Sequence, residues 1–73
     1  MPALALKPES AIEQIQWMIE NGHIATEQSA EEIIERSYSE PLYFKRPRGR
    51  KYICSVAGDR DENGSCIYIH IDV

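Results

Sequence analysis

Apolar residues recur at steps of three and four in the first half of the chain and at steps of two in the second. Ile12, Ile15, Met18 and Ile19 make one face of a helix predicted from Pro8 to Asn21, with Glu9, Glu13 and Glu20 mainly off that face. Pro8 suits the first turn, where an N–H would have no intrahelical partner. Gly22 follows as a left-handed C-terminal cap. A second helix is predicted from Glu27 to Ser37, with Ala30, Ile33, Ile34 and Tyr38 inward and Pro41 beyond its end. Its start has two readings one turn apart. Thr26 can cap it, with Glu27 at the positive dipole end, or Ser29 and Glu32 can form a capping box.

From Leu42 the period becomes two. Leu42–Phe44, Lys51–Ala57 and Ser65–Val73 read as strands, and Ala3–Leu6 as a candidate fourth. In the last strand Ile67, Ile69, Ile71 and Val73 face one way and Cys66, Tyr68, His70 and Asp72 the other. The segment Asp59–Gly64 joins the last two strands. A tight Asn63-Gly64 turn would set Arg60 against Ile67. A six-residue loop with Gly58 opposite Ser65 is preferred, because it matches Val56, Cys54 and Tyr52 with Ile67, Ile69 and Ile71 on the buried face. That register pairs Lys51 with Asp72. It also places Cys54 and Cys66 on opposite faces, which forbids a disulfide between them. The fold class is therefore α+β: two N-terminal helices packed on a three- or four-stranded antiparallel sheet.

At 73 residues and 8.4 kDa the chain is one small domain, residues 1–73. So small a core leaves no room for a deep cofactor cleft. No apolar run reaches the ~18–20 residues of a membrane span. The opening stretch Met1–Pro8 is too short for a signal peptide, and the two cysteines are too few for a secreted disulfide scaffold. These features predict a cytoplasmic protein with no membrane partner.

Charge layout adds more than the net value of −4. Residues 1–44 sum to −6 and residues 52–73 to −3, whereas Lys45, Arg46, Arg48, Arg50 and Lys51 give +5 within seven positions. Guanidinium groups fork onto phosphate oxygens, and Tyr43, Phe44 and Tyr52 flank the cluster where they can stack on bases. The five cations are the candidate nucleic-acid or anion-binding residues. The same segment also reads as a solvated turn that offsets the acidic helices, or as a dock for an acidic protein.

Other chemistry is thinner. Asp59-x-Asp61-x-Asn63-Gly64 resembles the opening of a calcium loop, but the closing position is His70 and strands flank it, so a polar hairpin turn is the better reading. Cys66 and His70 sit ~13 Å apart in a strand at ~3.3 Å per residue, too far for zinc bonds of ~2.0–2.3 Å. No metal and no cofactor is assigned. His70 beside Tyr68 and Asp72 suggests a ribonuclease-like surface with Arg50 or Lys51 steadying a phosphate; the plainer reading is a histidine on a wet strand face. His23 reads as a loop residue, and Trp17 as either rim packing or an exposed protein contact. No nucleophile elbow, P-loop or dinucleotide fingerprint is present.

The segment Gly22–Ile34, the run Arg48-Gly49-Arg50-Lys51-Tyr52-Ile53 and the hairpin Ala57–Val73 resemble the small BrnT-type toxins of the RelE-like superfamily, over about residues 12–73. That resemblance implies the fold, and Arg48, Arg50 and Lys51 as RNA contacts. The family's opening strand with its aromatic–aspartate motif and its basic stretch after the last strand have no counterpart here. The resemblance therefore implies fold more than activity.

No complete catalytic set can be assembled, so a non-catalytic protein-interaction module with an unidentified partner ranks first. RNA binding, or a reduced RelE/BrnT-like ribonuclease toxin acting through residues 45–51, ranks second. Strand edges on so small a sheet permit either a monomer or a homodimer.

Overall fold

The computed structural model describes residues 3–71. Strand β1 (Ala3–Leu6) leads into helix α1 (Pro8–Glu20) and helix α2 (Ala30–Ser37). Strands β2 (Leu42–Lys45), β3 (Tyr52–Asp61) and β4 (Gly64–Ile71) follow. All strand pairs are antiparallel, in the order β1-β4-β3-β2. The chain is thus an α+β domain, and Ala3–Leu6 is a genuine fourth strand. The helices cover one face of the sheet, with α1 against β4 and α2 against β3.

The alternating isoleucines do what the pattern predicts. Ile67 and Ile69 are fully buried with Val56, Ile15 and Ile33, and Cys54, Leu42 and Phe44 complete the sheet side of the core. The sequence pattern did not single out Ala11 and Ile24, yet both are buried. Ala11 carries too small a side chain to mark a stripe, and Ile24 lies in the irregular link between the helices, where periodicity has no meaning.

The cap of α1 explains two aromatic side chains. Gly22 adopts φ 71°, the His23 N–H donates to Met18 O at 2.8 Å and the Gly22 N–H to Ile19 O at 3.2 Å, which together form a Schellman motif. That motif brings the residue after the glycine back onto the last full turn. Here His23 stacks on Trp17, with ring centroids 4.9 Å apart. Trp17 remains about half exposed, so the contact with His23 covers only part of its indole.

Two sequence expectations need correction. Helix α2 starts at Ala30 and not at Glu27: Ser29 is the N-cap and accepts from the Glu32 N–H at 3.2 Å. Thr26 instead accepts from the Gln28 N–H at 3.1 Å, a local turn that competes with helix. The β3–β4 register also differs by two residues from the preferred one. Gly58 faces Ile67, not Ser65, and Val56 and Cys54 face Ile69 and Ile71. The physical reason lies in the turn. Asp61 accepts from the Asn63 N–H at 2.8 Å and Gly64 takes φ 122°, so Glu62-Asn63 suffices to reverse the chain and both strands lengthen. A shift of two preserves the faces, so Cys54 and Cys66 remain on opposite sides, both as free thiols. Lys51 precedes β3, and Asp72, its expected partner, lies outside the described residues.

Lengthening β3 puts Arg60 on the helix side, the placement that made a tight turn unattractive. The conflict is resolved beyond the end of α2. Arg60 faces Ser65 and not Ile67, its guanidinium lies 3.8 Å from the Tyr38 ring centroid, and it pairs with Glu35 at 3.2 Å.

Candidate nucleic-acid interface

Among the described residues no element covers the sheet face turned away from the helices. Register fixes its composition. One row runs Tyr43–Ser55–His70–Ala3 and the next includes Ala57–Tyr68–Ala5. Small residues thus alternate with larger ones, and Tyr43, Tyr52 and Tyr68 stand exposed above the face.

Two of these tyrosines meet at the β2–β3 end. A register shift between Phe44 and Lys45 brings Lys45 opposite Tyr52. The Tyr52 ring then lies 5.7 Å from that of Tyr43, with the planes tilted by 55°, and Lys45 Nζ sits 5.1 Å from its centroid. Tyr43, Tyr52, Ile53, Cys54, Ser55 and His70 line a concavity of about 270 Å³. Two strand spacings, roughly 10 Å, separate the Tyr43 and His70 backbones, and the short Ser55 side chain between them makes the floor. The volume falls just under the ~300–1,000 Å³ of drug-sized sites. A single planar ring suits it better than an extended small molecule.

The basic segment forms the loop at this same end. Gly49 donates to Arg46 O at 2.8 Å across Pro47 and Arg48, and Arg48 holds φ 63°. Proline at the second position and a positive φ at the third describe a type II turn. All five cations are exposed. Among the described residues none of the five pairs with a carboxylate, whereas Arg36 and Arg60, outside the loop, pair with Glu40 and Glu35 at 3.2 Å each. The Ala25 N–H donates to Lys45 O at 2.9 Å, which ties the loop's first residue to the link between the helices.

The far end of the face has the opposite sign. Asp59, Asp61 and Glu62 surround the β3–β4 turn, nine residues along β3, or roughly 30 Å at ~3.3 Å per residue, in a molecule 39 Å long. Tyr68 stands between the two ends, opposite Ala57, one row from Ser55 and His70 on one side and one row from Asp59 and Cys66 on the other. Its phenol is held above the ordinary tyrosine range, first by the neighbouring Cys66 thiol, then by burial, and last by Asp59 and Asp61.

Two aromatic expectations need correction: Tyr52, matched in sequence with Ile71 on the buried face, stands exposed on the outer face because the register shift at Phe44/Lys45 turns it outward, and Phe44, offered as a stacking ring, is buried. Phe44 belongs to the core, because β2 alternates and its even positions face the helices. His70 sits in a row with Ser55 and Tyr43, neighbours that only the cross-strand register supplies. Among the described residues no cluster of three or more His, Cys, Asp or Glu side chains is arranged to hold a metal ion. The Asp61 carboxylate is instead engaged by the hairpin turn. No described helix is long and apolar enough to cross a membrane. Comparison with known proteins finds no matching family model, no matching curated protein and no matching solved structure.

Proposed function

We propose that this protein is a non-catalytic binding module whose ligand is single-stranded RNA, held by the 45–51 loop and the adjoining outer sheet face. The observation that carries the reading is the junction of five exposed cations, none paired with a carboxylate among the described residues, with the exposed Tyr43–Tyr52 pair. Unpaired nucleic acid is held by such a combination: charge tracks the backbone and aromatic faces receive bases. An acidic protein partner would need the cations but not the tyrosines, and this ranks RNA ahead of the protein-interaction reading that the sequence alone favours. The reading also suits the resemblance to RelE-like toxins, in the form of a chain that retains RNA contact without a catalytic set.

An amide chemical-shift titration with a short RNA tests it. Shifts concentrated in residues 43–52 and 66–71 are expected. Affinity should fall steeply with salt, with a log–log slope of about −2 to −3.5 if three to five phosphates are contacted. An absence of shifts at low salt would remove the proposal.

One observation favours a second reading. Strand β1 pairs only with β4 among the described residues, and Leu4 on it is exposed. That open edge suits strand addition by a protein partner or a second copy. Binding that survives nuclease treatment, or a concentration-dependent dimer by sedimentation, would support it.

A further inference from the structure

We infer that the outer face carries one nucleotide subsite, confined to its basic end: an unpaired base stacks on Tyr43 and Tyr52, above Ser55 and beside His70, while its phosphates meet the 45–51 loop. This rests on the RNA-binding reading and narrows it to a place and a mode.

Three exposed tyrosines offer themselves on this face, and electrostatics separates them. Tyr43 and Tyr52 stand next to Lys45, at the end that bears the five exposed cations of the 45–51 loop. Tyr68 stands near Asp59 and Asp61, whose charges already oppose ionisation of its own phenol. A phosphodiester chain brings one negative charge with every base. It is drawn to the first position and repelled from the last, although a bare ring would stack on any of the three. Tyr68 stands one row, about 7 Å, from Asp59 and equally from His70; with a Debye length of ≈ 8 Å at physiological salt it feels Asp59 directly, whereas Tyr52 has Lys45 over its ring.

The geometry of the concavity supplies the rest. Its lining joins Tyr43, Tyr52 and His70 with Ile53, Cys54 and Ser55, and Ser55 lies between Tyr43 and His70 in one row. Ser55 offers a hydroxyl, and His70 offers its two ring nitrogens. Both can meet a base edge of either polarity, so the subsite tolerates any base and reads the presence of a ring more than its identity. The tilt of 55° between the Tyr43 and Tyr52 rings excludes a base sandwiched flat between them. The base stacks on one ring and meets the other edge-on.

The test compares a labelled five-nucleotide oligouridylate with an abasic ribose-phosphate chain of equal length, by fluorescence anisotropy at fixed salt. The base-bearing oligomer should bind the intact protein about tenfold tighter or more, the scale of one stacked base. Tyr43→Ala and Tyr52→Ala should each shrink that ratio toward one, Tyr43→Phe should keep it, and Tyr68→Ala should leave it unchanged. Tyr43→Phe and thermal melts guard against loss of fold as the explanation. Equal affinity for the two chains, with salt dependence intact, would overturn the subsite while the RNA-binding reading stands. An equal loss in Tyr68→Ala would overturn its confinement to the basic end. No salt-dependent binding of either chain would overturn both readings.

Discussion

Gly58 lies against Tyr38 so closely that a Cβ at Gly58 would come within 2.7 Å of the Tyr38 ring carbon Cδ1, and equally close to Ser37 Oγ. This contact is where the end of α2 rests on the sheet, and the longer β3–β4 register is what brings Gly58 beneath it. Gly58→Ala should therefore destabilise the fold by about 1–3 kcal/mol, the usual penalty for overpacking. Urea unfolding would measure it. In combination with Tyr38→Ala the penalty should be smaller but not vanish, because the contact with the Tyr38 ring is relieved while that with Ser37 Oγ stays. An additive pair would mean that the helix does not rest on this glycine.

The backbone of Arg48 sits at φ 63°, where an L side chain is strained and glycine is not. Arg48→Gly should raise folding stability by about 0.5–1 kcal/mol, after allowance for the greater freedom of glycine in the unfolded chain. The same change should weaken RNA binding and lessen its salt slope by about 0.7, the share of one phosphate on a single strand. Opposite signs in the two measurements would mark a residue whose charge is kept at the expense of its backbone. Destabilisation by Arg48→Gly would refute the assignment of strain.

Burial pushes the Cys54 thiol up to about 11 from 9.0. Below pH 9 the thiol is protonated in both folded and unfolded chains, so it adds no pH dependence there. Between the two values the unfolded chain loses this proton and the folded chain holds it, so stability must fall as pH rises from 9 towards 11. Cys54→Val should flatten that fall relative to the native chain, a difference that urea midpoints at successive pH values would reveal. Thiol alkylation of the folded protein should reach the half-buried Cys66 first and Cys54 only after unfolding.

Ser29 holds the start of α2 through its bond from Glu32, whereas Thr26 lies outside the helix. Ser29→Ala should cost about 1 kcal/mol and Thr26→Ala clearly less. A calorimetric comparison of the two variants checks which capping arrangement operates in solution. Equal losses would restore the longer helix.

Which faces are buried was legible in the residues themselves. Side-chain direction along a strand repeats every two residues, and a helix face every three to four, so Ile67 and Ile69, Ile15 and Met18, Ile33 and Ile34 were assigned inward from local periodicity. The basic loop was equally visible, since chain neighbours stay neighbours across a short turn, but the face of Tyr52 was not, because it is set by the register shift at Phe44/Lys45. Nor was the β3–β4 register. A shift of two residues leaves every face intact, so hydrophobic alternation cannot distinguish Gly58 against Ser65 from Gly58 against Ile67. The choice was made by the space beneath Tyr38, the Asp61–Asn63 turn bond and the refuge of Arg60 on Tyr38 and Glu35, contacts between residues distant in sequence or set by turn geometry. That choice in turn assembled Tyr43, Ser55 and His70 into one row. The chain's local pattern thus determined its layers, its buried faces and the seat of its positive charge. Only the packing of α2 against β3 decided which residues stand together on the open face.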